Sequence, residues 1–172
     1  MDDSQLKGAK FLLVDDEQYN IELLEAVLKK DGYQQISSTT DPRRVLPLFI
    51  EYKPDLLVLD FNMPGMTGLD VIRQVVPRLQ EGTYFPILVI TSEMAPEVKH
   101  NVLMEGAKDF LSKPIDKTEV LLRVRNLLTT RFLYNQLEHQ NEHLEVMVRQ
   151  RTRELDLAQE EILERGKAMG KG

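Results

Sequence analysis

Residues 54–68, PDLLVLDFNMPGMTG, constrain the fold of this chain more than any other stretch. Residues 56–59 are four apolar residues in succession, a pattern typical of a strand buried on both faces of a parallel sheet. Asp60 ends this strand and is followed by a loop that contains Pro64, Gly65 and Gly68. The pattern therefore predicts a carboxylate at the carboxyl edge of the sheet, where open α/β folds place their chemistry. A lone aspartate at such a place more commonly only caps a turn, so its neighbours decide its meaning.

The alternation of apolar run and helical pattern recurs along the first 128 residues. Strands are predicted at residues 10–14, 35–39, 55–60, 87–90 and 107–112, and helices at 19–30, 41–52, 68–80 and 96–105. Five strands that alternate with helices predict an α/β fold with one doubly wound parallel sheet. Right-handed crossovers then place helices on both faces of this sheet.

Composition excludes several classes of protein. The chain has 172 residues, of which 42% are hydrophobic, enough for one ordinary domain and an extension. No apolar run approaches the roughly 18–20 residues of a membrane span. Asp2 and Asp3 make the N-terminus acidic where a secretory signal would be basic, so we expect a cytoplasmic protein with no membrane partner. The absence of cysteine and the three scattered histidines argue against disulfides and zinc sites, so any bound metal should have oxygen ligands.

The net charge of −6 is unevenly distributed. Residues 118–172 carry nine basic and nine acidic side chains, which leaves 13 basic and 19 acidic ones in residues 1–117. The acidic first part should repel nucleic acid, so we expect no nucleic-acid partner. The balanced second part is typical of a solvated helix with many ion pairs.

Polar side chains follow four of the predicted strands. Asp15 and Asp16 follow the first strand, Asp60 the third, Thr91 the fourth and Lys113 the fifth, so all five should meet at one edge of the sheet. Three nearby carboxylates repel one another unless a cation lies among them, and an oxygen-only ligand set favours magnesium. Thr91 and Lys113 are suited to hold an anion beside the metal, and that anion would be a phosphoryl group. Separately, each residue could instead be a helix cap, a turn residue or a surface charge.

Four motifs span the ends of the first, third, fourth and fifth predicted strands. In chain order they are VDDE, LVLDFNMPGMTGLD, VITS and GAKDFLSKP. With them, the chain resembles the receiver domain of two-component response regulators, a CheY-like family, over about residues 8–128. The resemblance implies a flavodoxin-like sheet of strand order 2-1-3-4-5. It also implies that Asp60 accepts phosphate from a sensor histidine kinase in a phosphorelay, and that the chain is not itself an enzyme.

The resemblance further implies a ligand set for Mg²⁺. Asp16 matches the family's direct ligand, whereas Asp15 matches a ligand that acts through water. Asp60 itself and the backbone carbonyl of Asn62 would complete the protein ligands. The metal site is therefore expected to share the phosphoacceptor carboxylate.

The family's switch residues match Thr91 and Phe110. In the family pattern, the hydroxyl at the position of Thr91 moves toward the bound phosphate, and the aromatic ring then occupies the space it leaves. Lys113 matches the lysine that pairs with the phosphoryl charge. Phe110 could also be an ordinary half-buried core residue, since it lacks the hydroxyl of a tyrosine.

No glycine or proline occurs between residues 115 and 165, so we predict one long helix from about residue 116. We assign residues 1–128 to the receiver domain and residues 129–172 to a C-terminal extension. The heptad a and d positions of this extension include Tyr134, Leu137, Asn141, Leu144, Val148, Leu155 and Ile162. They predict a parallel two-stranded coiled coil and thus a homodimer, with Asn141 favouring one register. Arg151 and Arg165 at d weaken the pattern, and a single solvated helix is the alternative.

The output of the predicted switch is less constrained. Residues 148–165 resemble the helix that joins receivers to HD-GYP domains, which hydrolyse cyclic di-GMP, yet no catalytic HD-GYP residues are present. The output domain is therefore expected outside this chain, and diguanylate cyclase or kinase outputs are alternatives. An aspartate-nucleophile phosphatase is disfavoured because the first strand ends in DDE instead of DxDx[TV]. A vestigial receiver that serves only dimerisation is disfavoured, because it would lack at least one of four residues that are all present here: Asp16, Asp60, Thr91 and Lys113.

Overall fold

The computed structural model describes residues 2–92 and 95–170, so the last two residues of the predicted extension lie outside it. In this part, strands β1 to β5 span Lys10–Val14, Gln35–Thr39, Leu56–Asp60, Ile87–Thr91 and Asp109–Ser112. Helices α1 to α6 span Asp3–Lys7, Gln18–Lys30, Val45–Tyr52, Gly68–Val75, Pro96–Glu105 and Lys117–Met169. Short 3-10 helices occupy Pro42–Arg44 and Val76–Arg78. The residues up to Phe132 form one compact unit, and those from Leu133 onward form a second.

The five strands form one parallel sheet in the order β2-β1-β3-β4-β5. This confirms the predicted doubly wound sheet, and the single helix α6 confirms the predicted long C-terminal helix. Val14 is paired with Leu59, and Thr91 with Ser112, so the carboxyl ends of the strands are aligned. Residues that directly follow these strands are thereby brought to one edge.

Alternate residues of the central strands face two separate hydrophobic cores. Phe11 and Leu13 of β1 belong to the core that also contains residues of α2 and α6. Leu12 and Val14 belong to the core formed with α3, α4 and α5. Every residue of β3 is buried, which explains why its sequence is continuously apolar up to Asp60.

The helix after β3 is shorter than the predicted range of 68–80. It ends at Val75, and the chain continues as the 3-10 turn Val76–Arg78 before Leu79 becomes extended. Pro77 has no amide hydrogen to donate and its ring hinders the preceding turn, so the α-helix cannot continue through it. The helix predicted at 41–52 likewise begins as a 3-10 turn, capped by the Asp41 side chain, which accepts a hydrogen bond from the Arg43 amide.

An N-terminal helix, α1, was not predicted. Asp2 caps it by accepting a hydrogen bond from the Ser4 amide, and its Leu6 side chain is buried in the core on the α2 side of the sheet. Lys7 forms a 2.7 Å ion pair with Asp31, the residue after α2. The buried Leu6 side chain and the ion pair of Lys7 thus fix the short helix to the first unit.

The first part of α6 belongs to the first unit. Val120, Val124, Leu127 and Leu128 are buried in the same core as Leu24 and Leu28 of α2. Truncation of the chain before α6 would therefore expose one face of the sheet.

The last turn of this part contains Arg131, whose side chain is mostly buried. Its Nη1 donates a 2.7 Å hydrogen bond to the carbonyl of Tyr84, and its guanidinium lies 5.2 Å from the ring centroid of Phe85. Its Nε lies 3.7 Å from a carboxylate oxygen of Asp55. Arg131 thus joins α6 to the segments that precede β3 and β4.

The second unit consists of the rest of α6. Its large apolar side chains at the predicted a and d positions are solvent-exposed, from 48% for Tyr134 to 70% for Ile162. Within residues 2–92 and 95–170, no helix is both long enough and apolar enough to cross a membrane.

Candidate functional site

Three aspartates meet at the carboxyl edge of the sheet, and we call Asp15, Asp16 and Asp60 the acidic cluster. One carboxylate oxygen from each lies within 4.8 Å of the others. Asp15 directly follows β1 and Asp60 ends β3, and the pairing of these two strands brings them together. Asp15 and Asp60 are buried whereas Asp16 is partly exposed, so the acidic cluster is open to solvent on the side of Asp16.

Lys113 supplies a positive charge to this cluster. Its Nζ lies 3.1 Å from Oδ1 of Asp60 and 3.4 Å from Oδ2 of Asp15. Its backbone amide donates a 2.8 Å hydrogen bond to the carbonyl of Thr91, which fixes the residue beside the end of β4. One ammonium thus partly neutralises two buried carboxylates.

The electrostatics of the site favour a further cation. Burial raises the pKa of Asp60 to about 6, and the charge of Asp15 and a hydrogen bond with Asp16 act in the same direction. Lys113 opposes this shift without cancelling it. Burial would lower the pKa of Lys113, but its hydrogen bonds and charge interactions with Asp60 and Asp15 raise it above the ordinary value.

The donor set fits Mg²⁺. The three carboxylates offer hard oxygen ligands, and no imidazole or thiolate belongs to the group. Because Asp60 ionises reluctantly, a dication that binds its carboxylate would relieve an unfavourable charge. The acidic cluster can therefore hold a small divalent cation.

The loop after Asp60 requires glycine at position 68. A Cβ there would lie 3.0 Å from both the carbonyl oxygen of Asp60 and Cα of Phe61. The Gly68 amide also donates a 2.8 Å hydrogen bond to the Phe61 carbonyl, which closes the loop. Thr67 and Asp70 form a capping box that starts α4 directly behind this loop. The close approach of Gly68 thus holds the backbone of Asp60 in place.

The other predicted site residues lie in strands β4 and β5 and in the loop after β3. Thr91 is buried at the end of β4, and Phe110 is half-buried in the neighbouring strand β5. Lys99 of α5 places its Nζ 5.3 Å from the ring centroid of Phe110. Asn62 is exposed in the loop after β3. The switch roles of Thr91 and Phe110 and the ligand role of the Asn62 carbonyl stay predictions.

One contact of the acidic cluster was not predicted. Oδ1 of Asp15 accepts a 2.9 Å hydrogen bond from the Glu17 amide and a 3.3 Å hydrogen bond from Nδ2 of Asn20. Asn20 lies in the first turn of α2, where the sequence pattern identifies only a helical residue. The DDE motif followed by an amide side chain at the start of a helix is the only sequence signal for this contact.

A cleft of about 580 Å³ lies beside the acidic cluster. Asp16 forms part of its wall, together with Thr40, Arg43, Pro64 and Met66. A phosphate donor can therefore approach the exposed member of the cluster from solvent.

The model of the family described as the response regulator receiver domain matches residues 11–125. The chain belongs to this family. Response regulator PleD of Caulobacter vibrioides is 34% identical over 130 residues, which are 76% of this chain and 28% of PleD. The alkaline phosphatase synthesis transcriptional regulatory protein PhoP of Bacillus subtilis is 36% identical over 119 residues, which are 69% of this chain and 48% of PhoP. The chain thus spans less than half the length of these curated relatives.

Solved receiver structures have the same fold. The Vibrio cholerae chemotaxis protein CheY4 is 30% identical and superposes with a TM-score of 0.65, over 70% of this chain and 98% of CheY4. The Francisella response regulator 1452 receiver domain, at 22% identity, has a TM-score of 0.64 over 72% of this chain and 98% of its own. At this low identity, the comparison with the Francisella receiver supports only a shared fold.

Membership assigns a general role to the acidic cluster. Receiver domains of response regulators take phosphate from histidine kinases and bind Mg²⁺ in an acidic pocket, and the cluster could hold this ion. The relatives named above are described as a response regulator and a transcriptional regulatory protein. The predicted resemblance to receivers is thereby confirmed, whereas the finer resemblance of the extension to an HD-GYP linker stays a prediction.

Proposed function

We propose that this receiver is a phosphorylation-dependent switch in which Asp60 accepts a phosphoryl group from a sensor histidine kinase. The contact of Lys113 with Asp60, inside a three-carboxylate cluster, carries this proposal. It combines a nucleophilic oxygen with a cation that can pair with the incoming phosphoryl group. The match of residues 11–125 to receiver domains supports the same role.

Asp15, Asp16, Asp60 and the backbone carbonyl of Asn62 would hold Mg²⁺. When bound, the ion supplies positive charge that neutralises the acidic cluster and the phosphoryl oxygens. Asp16 is the least buried aspartate of the acidic cluster, so it is the most accessible to the ion. This supports Asp16 as the direct ligand. Asp15 is buried and already hydrogen-bonded, which agrees with a ligand that acts through water.

The chain's own residues perform the transfer as follows. A carboxylate oxygen of Asp60 forms a bond to phosphorus while the bond from phosphorus to the kinase imidazole nitrogen breaks. The departing histidine keeps that electron pair. Lys113 then pairs with the phosphoryl oxygens, and the Thr91 hydroxyl donates a hydrogen bond to one of them. Phe110 moves into the space that Thr91 leaves, which repacks the surface formed by α5, β5 and the first part of α6.

Intact-mass measurement tests the phosphoacceptor. Wild-type protein is incubated with Mg²⁺ and acetyl phosphate, and we expect a gain of one phosphate. Asp60→Asn should gain none, whereas the control Asp31→Asn, whose carboxylate pairs with Lys7 far from the cluster, should behave as wild type. A phosphate on Asp60→Asn would assign the acceptor to another residue.

We also propose that the extension, residues 129–172, pairs with that of a second copy as a parallel coiled-coil stalk. The exposed a and d side chains support this, because a long isolated helix with an apolar stripe is unstable in water. The interacting residues would be Tyr134, Leu137, Asn141, Leu144, Val148, Leu155 and Ile162. Phosphorylation of the receiver, residues 1–128, would change the association of the two copies.

The signal would pass through this stalk to an output domain outside the chain. The similarity of residues 148–165 to HD-GYP linkers favours a cyclic di-GMP phosphodiesterase as output, with cyclase or kinase modules as alternatives. We place the protein in the cytoplasm, with the histidine kinase as its partner and without nucleic-acid binding by this chain. Fusion of the chain to each class of output, followed by assay with and without phosphodonor, tests this proposal.

A further inference from the structure

We propose that Asn20 is a positioning residue that fixes the orientation of the Asp15 carboxylate within the acidic cluster. The inference rests on the proposed Mg²⁺ site, because the orientation of Asp15 matters only where a cation is bound. Asn20 contributes no charge and no ligand atom to the cluster. It acts through its Nδ2–H group, which donates to Oδ1 of Asp15 at 3.3 Å.

The two oxygens of Asp15 have different partners. Oδ1 accepts hydrogen bonds from the Glu17 amide at 2.9 Å and from Asn20. Oδ2 contacts Nζ of Lys113 at 3.4 Å. Since the Asp15 side chain is only 3% exposed, water cannot readily replace a lost donor. Oδ1 is thus held toward α2, and only Oδ2 is directed toward the lysine.

Asn20 is placed for this role by the start of α2. Its backbone amide donates to the Glu17 carbonyl at 3.1 Å, so it lies in the first helical turn directly after the acidic corner. A capping side chain accepts a hydrogen bond from a helix amide, whereas the Asn20 side chain donates to a carboxylate. Its contact therefore serves Asp15 and does not cap the helix.

Among the residues that the structure describes, loss of this donor leaves the Glu17 amide as the donor to Oδ1. The carboxylate of Asp15 can then rotate away from Asp16 and Asp60, because rotation reduces the repulsion among the three. Binding of Mg²⁺ would have to restore the original orientation, and this cost lowers affinity. The hydrogen bond from the neutral Asn20 amide is long, at 3.3 Å. We therefore expect its loss to change the equilibrium constant for Mg²⁺ binding by about three- to tenfold.

The test uses Asn20→Leu, which keeps the approximate shape of the side chain and removes the donor, and Asn20→Ala as a second variant. Gln18→Leu is the matched control, since Gln18 lies in the same turn but contacts Glu22 instead of Asp15. Mg²⁺ affinity is measured by NMR titration, thermal stability by calorimetry, and hydrogen exchange of the Glu17 amide without metal. We expect both Asn20 variants to bind Mg²⁺ about three- to tenfold more weakly, with faster exchange at Glu17. The control should match wild type in both.

Two results would overturn the proposal. A variant with lower thermal stability but Mg²⁺ affinity within about twofold of wild type would reduce Asn20 to a packing residue. If wild type itself binds no Mg²⁺, the proposed function fails, but the Glu17 amide still tests the orientation of Asp15. Unchanged exchange at Glu17 in Asn20→Leu would then show that Asn20 does not hold that carboxylate.

Discussion

Nζ of Lys113 lies 3.1 Å from Oδ1 of Asp60, yet the Asp60 carboxyl still has a pKa of about 6. Burial and the neighbouring acidic groups therefore outweigh the contact with the ammonium. The receiver keeps its phosphoacceptor in an environment that opposes its charge. The ionised Asp60 carboxylate therefore destabilises the metal-free receiver, and a bound cation would remove this destabilisation.

Asp60→Asn should stabilise the metal-free protein at pH 8 but not at pH 5. The Asp60 pKa is raised from 3.8 to about 6, so the stabilisation from its protonation is full below pH 3.8 and is lost as the pH rises through 6. At pH 8 the substitution removes an unfavourable charge, and we expect a gain of order 1 kcal/mol, which is several degrees in Tm. Thermal unfolding in EDTA at the two pH values measures this. An equal gain at both would assign the effect to something other than ionisation.

Asp16→Ala should abolish Mg²⁺-dependent phosphorylation while the fold stays intact. Asp16 is partly exposed, so its removal costs little packing, but it takes one of three charges from the cation site. Glu17→Ala is the control, because it removes a neighbouring exposed carboxylate that is not in the acidic cluster. Intact mass after incubation with acetyl phosphate, together with circular dichroism, gives both readouts. Normal phosphorylation of Asp16→Ala would disprove the metal assignment.

Thr91→Ala should still accept phosphate at Asp60 but should not transmit the change. The hydroxyl is the group proposed to move toward the phosphoryl oxygens, whereas the chemistry takes place at Asp60 and Lys113. Thr91→Ser keeps a hydroxyl and should retain most of the response. Sedimentation with and without acetyl phosphate measures the change in association. If Thr91→Ala responds as strongly as wild type, Thr91 has no part in the switch.

Replacing Leu144 and Leu155 with lysine should convert a dimer into a monomer. Each substitution places two charges in the proposed seam, at a cost of about 2–5 kcal/mol per layer. The matched control replaces Leu157 and Leu163, which are similarly exposed but lie outside the a and d positions, and should stay dimeric. A chain that ends at residue 132 should also be monomeric without phosphate. Analytical ultracentrifugation compares the four proteins, and monomeric wild type at tens of micromolar would exclude the stalk.

Arg131→Ala should destabilise the first unit by about 1–3 kcal/mol, because it removes a donor to the partly buried Tyr84 carbonyl and uncovers Phe85. Arg125→Ala is the control. Arg125 pairs with Asp3 at 3.4 Å, but both side chains are 59% exposed, and such surface pairs contribute about 0–1 kcal/mol. Urea unfolding measures both variants. Equal losses would show that the Arg131 contacts add nothing beyond a surface ion pair.

Much of the fold and the position of the acidic cluster could be predicted because parallel sheets align their strand ends. Once the apolar runs were assigned to strands, Asp15, Asp60 and Lys113 had to meet at one edge, and they do. Strand β2 was predicted with its observed bounds although its sequence is mostly polar. Pro77 was overlooked as a helix terminator because apolar residues of helical spacing continue past it.

The missed contacts depend on tertiary packing. The sequence pattern shows that α6 has an apolar side, but it does not show that Arg131 meets Asp55 and Tyr84. These partners come together only after α6 has packed along the sheet. Asn20 was missed for a similar reason, since helical periodicity gives no information on which polar side chain of a first turn points back to the preceding loop.

The contacts of Arg131 have a consequence for how such proteins are inherited and recombined. The family signature ends at residue 125, whereas Arg131 still covers Phe85 and Phe132 still packs against the core. A genetic exchange that replaced everything after residue 125 would deprive the receiver of these contacts. Exchange of one output for another should therefore be tolerated best beyond residue 132. The segment needed for an intact receiver core is thus longer than the segment that matches the family.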